Sequence, residues 1–106
     1  MSASRLQKLL EFLQEDPNDP FTLYAIATEY RKENQHKALY HYEKLLAEHP
    51  QYVATYYHAA LLYVELEQPE RAKQTFEKGI VVAREQKEAL ALRELQNAYN
   101  EFLFEE

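Results

Sequence analysis

Apolar residues return every three or four positions along most of this chain, the period of helices that bury one face. The stretch Tyr52 to Leu66, YVATYYHAALLYVEL, is the clearest case, with four aromatic rings around Ala59 and Ala60. Tyr56, Ala60 and Tyr63 follow i, i+4, i+7 and so share one helical face. Ala54, Tyr57, Leu61 and Val64 form a stripe rotated away from it. Another helix is predicted from about Arg5 to Glu15, with Ser4 and Gln7 as a capping box. A last amphipathic helix, Lys87 to Phe104, carries Leu92, Leu95, Tyr99 and Leu103 at helical spacing. Punctuation places the remaining elements. Asp19 and Pro20 suit a cap and a first helical position, and Pro69 opens a helix likewise. Asn34 marks a turn, where it is expected to take the left-handed conformation that usually calls for glycine. The pattern predicts an all-α chain of six antiparallel helices.

The chain also matches itself. A shift of 33 aligns Leu13 to Tyr30 with Leu46 to Tyr63, pairing Leu13/Leu46, Glu15/Glu48, Pro17/Pro50, Thr22/Thr55, Tyr24/Tyr57, Ala27/Ala60 and Tyr30/Tyr63 as identities. A shift of 34 aligns Lys37 to Leu46 with Arg71 to Ile80, so one residue separates the copies in the intervening turn. Internal repetition of this length is the mark of a stacked helical array.

Within each copy, large and small residues fall in the same order: Leu23, Ile26, Ala27, Tyr30, Ala38, Tyr42 and Pro50 in the first, Tyr56, Ala59, Ala60, Tyr63, Ala72 and Phe76 in the second. In this order the copies resemble tetratricopeptide repeats. They depart from that signature in three places: alanine stands at both glycine positions, Leu23 or Tyr56 at the tryptophan position, and Arg84 where copy two would have its final proline. The last change predicts that the helix from Pro69 runs to about Gln86. The resemblance implies an α-α superhelix, a right-handed solenoid, filling residues 1–106 as one domain. Its parts are a half-repeat helix over 4–16, repeats over 19–50 and 52–86, and a capping helix over 87–105. In such an array Ala60 permits close approach of its partner helix, with Ala72 the small residue opposite, and Tyr56, Tyr63 and Phe76 filling the volume on either side.

Composition narrows function. The 106 residues hold no cysteine and one glycine, which removes disulfides, thiolate zinc sites and glycine-rich phosphate loops from consideration. The amino-terminal leucines are interrupted by Lys8, Glu11 and Glu15, unlike a secretory signal, and no stretch approaches the roughly 20 apolar residues of a membrane span. A cytoplasmic location is expected. A net charge of -6 argues against nucleic acid, because the bases Arg31, Lys32, Lys37, Lys44, Arg71, Lys73 and Lys78 are scattered among acids. That balance also disfavours an RNA-binding helical-hairpin repeat. His36, His41, His49 and His58 contain no i, i+4 pair of the kind that holds zinc on a helix, and the carboxylates spread along solvated faces. No catalytic, metal or cofactor site is expected.

What remains is recognition of another protein. The stripe containing Tyr57 recurs in copy one as Phe21, Tyr24 and Thr28. The family resemblance makes this stripe the inner wall of a concave groove for peptides, with Phe21, Tyr24, Thr28, Tyr57, His58 and Leu61 as contact residues. The alternative use of Tyr24 and Tyr57 is packing against a neighbouring repeat with their hydroxyls in water. Members of the family that grip a terminal carboxylate do so with Lys and Asn on these helices. Here Tyr24, Thr28 and His58 occupy those positions, so an apolar anchor is expected instead, with Arg31 and Lys32 at the edge. A second function class is self-association through the solenoid ends, where Gln96, Asn97, Asn100 and Glu101 are polar and Phe102 and Phe104 offer an apolar patch. A monomer or a weak homo-oligomer is expected accordingly.

Overall fold

The computed structural model describes residues 2–105, and side chains from Arg5 to Glu105. Among the described residues there are six α-helices and no strand: α1 (Ser2–Glu15), α2 (Pro20–Arg31), α3 (Gln35–Glu48), α4 (Ala54–Glu65), α5 (Pro69–Glu85) and α6 (Ala89–Glu105). Ser4 of the expected capping box lies outside the described side chains. α2 begins as its sequence predicts. The Asp19 carboxylate accepts the Thr22 hydroxyl at 2.6 Å and the Thr22 amide at 3.1 Å, and Pro20 takes the first turn, where an N–H would have no partner. The Thr22 hydroxyl and amide together hold the Asp19 carboxyl below the usual carboxylate range.

Asn34 does not close α2 in the left-handed region. Its backbone is extended at φ -144°, and its side chain accepts the Lys37 amide at 3.1 Å, so it caps the start of α3 instead. The left-handed positions are Glu67 and Lys87, both at φ 59°. Each ends a helix by the same pair of bonds. The Glu67 and Gln68 amides reach the Val64 and Tyr63 carbonyls at 3.0 and 2.9 Å, and the Lys87 and Glu88 amides reach those of Arg84 and Ala83 at 3.1 and 2.9 Å. Lys87 therefore belongs to the turn, and α6 starts two residues later than its hydrophobic spacing predicts. The run of α5 past the missing proline is as expected, ending at Glu85 with Gln86 as its cap.

The chain divides into two compact units, Met1–Tyr52 and Val53–Glu106. In the first, α1 packs on α2 and α2 on α3. Leu9, Ala25 and Ile26 make one cluster, bordered by Leu6, Leu10, Leu13 and Tyr30. Leu23, Ala27, Ala38, Tyr42 and Leu45 are wholly buried. Glu29 is also buried, and one of its oxygens takes Arg5 of α1 at 3.1 Å and Lys32 at 3.4 Å. A buried carboxylate is tolerated when cations share it in this way.

In the second unit α4 packs on α5, and α6 on both. Ala59, Ala60 and Ala72 have no exposed surface, as the alternation of large and small residues predicts. A further close approach lies at Gly79 of α5. A Cβ at Gly79 would stand 2.5 Å from the Tyr56 Cβ and 2.9 Å from its Cγ. α6 buries Leu95 and Phe102, with Tyr99 between them at helical spacing. The Phe76 ring meets Tyr99 at 5.4 Å and Phe102 at 5.7 Å, centroid to centroid. Phe102 is thus core, which removes it from the expected terminal patch. Leu103, predicted on the buried face, is exposed, because the ring contacts with Phe76 turn the neighbouring position inward. Tyr99 also donates its hydroxyl to Glu77 of α5 at 2.5 Å.

Two consequences can be measured. Gly79→Ala adds about 1 kcal/mol of helix propensity. It also forces Tyr56 and the two backbones apart, an overpacking that costs about 1–3 kcal/mol, so the melting temperature should fall. A rise would show that the α4 and α5 backbones yield without loss. Partial burial and the Glu77 carboxylate push the Tyr99 pKa up to about 12. Because the folded value lies above the unfolded one of 10.0, its contribution to stability is full below pH 10 and is lost as pH rises through 12. A carbon-13 titration of the tyrosine ring should find Tyr99 ionising well above 10.0, and Glu77→Gln should bring it down.

Candidate functional site

The residues singled out for binding fall into two groups, one in each unit. On α2, Phe21, Tyr24 and Thr28 lie at i, i+3, i+7, on a face left over when Leu23, Ile26 and Ala27 turn into the core. Phe21 is 61% exposed at the first turn. Tyr24 is half-buried among aromatic neighbours: Tyr42 of α3 is tilted against it at 6.5 Å and Tyr52 meets it edge-on at 5.9 Å. Thr28 is tied to the same cluster. Its hydroxyl donates to the Tyr24 carbonyl at 2.9 Å and lies 3.2 Å from the Tyr42 hydroxyl.

This cluster holds three phenol rings, with the Arg31 guanidinium acting on the Tyr42 hydroxyl. Burial pushes the phenols of Tyr42 and Tyr52 up from their ordinary value of 10.0, so both remain neutral around pH 7. The face offers ring edges and hydroxyls that donate or accept. Beside it, Pro20, Glu48, His49, Pro50, Gln51 and Tyr52 line an open hollow of about 410 Å³. Helical spacing gives Tyr52 no role, since it precedes α4. Its position between two prolines of the hollow's lining and the Tyr24 ring depends on the turn after α3, which periodicity does not describe.

On α4 of the second unit, Tyr57, His58 and Leu61 are all half-buried, while Tyr56, Ala59, Ala60 and Leu62 face inward. The Tyr57 and His58 rings meet edge to face at 5.3 Å. The expected stripe along Ala54, Tyr57, Leu61 and Val64 has Ala54 and Val64 exposed at its ends. In this unit Val64, Glu67, Pro69 and Phe102 also border a hollow of about 340 Å³. Phe104, the remaining half of the expected terminal patch, is 93% exposed.

Among the described residues no three His, Asp or Glu side chains gather to hold a metal ion. Nor is any helix long and apolar enough to cross a membrane. His41 is engaged in the surface, stacked on Tyr30 at 5.5 Å with its Nδ1 3.0 Å from the Lys37 carbonyl.

Comparison with known proteins gives the fold a family context. The model of the tetratricopeptide repeat family matches residues 30–95. Two solved structures of a tetratricopeptide repeat domain protein from Salinibacter ruber are similar. The solution structure is 44% identical, with a TM-score of 0.77, over 82% of this chain and 89% of that one. The crystal structure is 43% identical, with a TM-score of 0.80, over 83% of this chain and 100% of that one. A MamA protein shares the fold at 18% identity and a TM-score of 0.71, covering 96% of this chain and 58% of its own. Among curated proteins none matches the chain.

Proposed function

Because the chain belongs to the tetratricopeptide repeat family, we propose that it is a non-catalytic interaction module that binds an apolar peptide or protein segment along the first helices of its repeats. The family generally serves protein–protein interaction, and this all-α helical repeat fold has the same means. The contact residues are Phe21, Tyr24 and Thr28 on α2 and Tyr57, His58 and Leu61 on α4. The observation that carries the reading is Tyr24. Its ring is half-buried and braced by Tyr42 and Tyr52, and Tyr57, also half-buried, stands at the same place in the second copy. Aromatic residues held rigid before binding lose little entropy on contact and dominate interfaces of this kind. We place the module in the cytoplasm and read residues 1–106 as one functional domain.

A second reading, self-association, is favoured by Leu103 and Phe104, apolar residues that the last turn of α6 leaves in solvent.

The groove reading is tested with peptides selected from a random library against the intact protein. Tyr24→Ala and Tyr57→Ala, singly and together, should leave the helical circular dichroism unchanged, and the double variant should lose roughly 2 kcal/mol or more of binding. Binding that survives in the folded double variant would exclude these helices as the site. A selected peptide should also keep its affinity when its carboxy terminus is amidated, since Tyr24, Thr28 and His58 stand where a carboxylate clamp would need Lys and Asn. Loss of most of the affinity on amidation would overturn the apolar mode.

A further inference from the structure

The outer face of α3 carries a pattern that neither the core nor the proposed groove uses. Lys37, Tyr40, His41 and Lys44 follow i, i+3, i+4, i+7 and so form one stripe, opposed to the buried Ala38, Tyr42 and Leu45. Tyr40 is 64% exposed. The stripe is ordered by its own contacts. The His41 ring stacks on Tyr30 and meets Tyr40 edge-on at 5.1 Å, and the Lys37 ammonium lies 5.4 Å from the centre of the Tyr30 ring. Lys44 reaches Glu48 at 3.6 Å, a solvent-screened pair within the helix that can exchange for a better one. Although the chain is acidic, its segment 31–44 is basic, with Arg31, Lys32, Lys37 and Lys44 against Glu33 and Glu43.

The opposite pattern stands at the end of α6. Glu101, Phe104 and Glu105 follow i, i+3, i+4, so the most exposed aromatic ring of the described residues lies between two carboxylates. Phe102 anchors this last turn on Phe76 and Tyr99, which directs Phe104 outward. One surface is thus a base, an aromatic ring and a base along a helix. The other is an acid, an aromatic ring and an acid.

We propose that these surfaces are partners, the last turn of α6 in one copy docking on the α3 stripe of a second copy. Glu101 and Glu105 meet Lys37 and Lys44, and Phe104 packs against Tyr40 and His41. The contact joins two different surfaces, so it is head to tail and leaves one of each open, and chains grow with concentration unless a ring closes. It uses none of the residues of the proposed peptide groove, and the two readings stand or fall separately.

The test is sedimentation equilibrium of the intact protein from micromolar to millimolar concentration. The average mass should rise with concentration and fall on adding salt, since the pairing charges lie in solvent. Phe104→Ser should weaken association by about tenfold or more. Two charge-reversed variants, Lys37→Glu with Lys44→Glu and Glu101→Lys with Glu105→Lys, should each be monomeric and keep native circular dichroism, because Lys37, Glu101 and Glu105 are exposed and the half-buried Lys44 holds a screened pair with Glu48. Mixed in equal amounts, they should associate again, each tail facing a stripe of opposite sign. A wild-type protein that stays monomeric at millimolar concentration overturns the proposal. So does an oligomer unaffected by these substitutions, or a mixture that stays monomeric.

Discussion

Everything else in the second unit depends on how closely α4 and α5 approach at Tyr56 and Gly79. Helices of 12 and 17 residues are marginal by themselves in water, so they persist only where a partner covers the apolar face. With a glycine beneath its Cβ, Tyr56 lies almost on the α5 backbone, and Ala59, Ala60 and Ala72 are wholly buried. Close approach lets one aromatic ring per turn fill the core. Phe76 is buried in this way and then serves as the floor on which Tyr99 and Phe102 of α6 rest. The first unit reaches the same result with alanines alone, Ala27 and Ala38, around Tyr42.

The division between core and surface follows from that seam. On α2, Leu23, Ile26 and Ala27 are committed inward, and Thr22, Ala25 and Glu29 are buried as well, so only a narrow strip of positions on the helix is left toward solvent. In a purely structural helix those places would be polar. Here they hold Phe21 and Tyr24, and on α4 Tyr57 and Leu61. Keeping apolar side chains half in water has a solubility cost. Tyr24 lowers that cost by leaning on Tyr42 and Tyr52, which leaves its ring ordered before any partner arrives.

The repeat, the six helices and the buried alanines were legible because each is written in spacing, and spacing survives without tertiary knowledge. Terminal geometry was not. Asn34 could close one helix or open the next, and the choice falls to its side chain, which finds the Lys37 amide. Glu67 and Lys87 take left-handed turns that neither residue favours, held there by two backbone bonds apiece, so nothing in their chemistry announces the role. Phe102 and Leu103 are neighbours in a stretch where a period of 3.6 permits either to face inward, and only the position of Phe76 decides. Of the candidate site, the half-exposed stripe could be read from the repeat itself. The bracing of Tyr24 by Tyr52 could not, since it depends on the turn that follows Pro50. Gly79 was visible as the lone glycine, but its meaning required the opposing helix.

Repetition has one more physical consequence for this chain. Copies that keep the same core residues are free to diverge on their outer faces, because those faces make no contact that the fold needs. The outer face of α3 holds Lys37, Tyr40, His41 and Lys44. Under the shift of 34 that aligns the copies, the same places on α5 hold Arg71, Gln74, Thr75 and Lys78. The bases are kept at both ends and the aromatic pair between them is not. Thr75 is buried, its hydroxyl donating to the Arg71 carbonyl at 2.7 Å, so that face of α5 is partly covered where α3 is open. Tyr40 and His41 are therefore a feature of one copy and not a product of the repeat. His41 keeps a packing role through its stacking on Tyr30, whereas Tyr40 is turned to solvent beside it, so the divergence between the copies falls on the ring that the fold uses least.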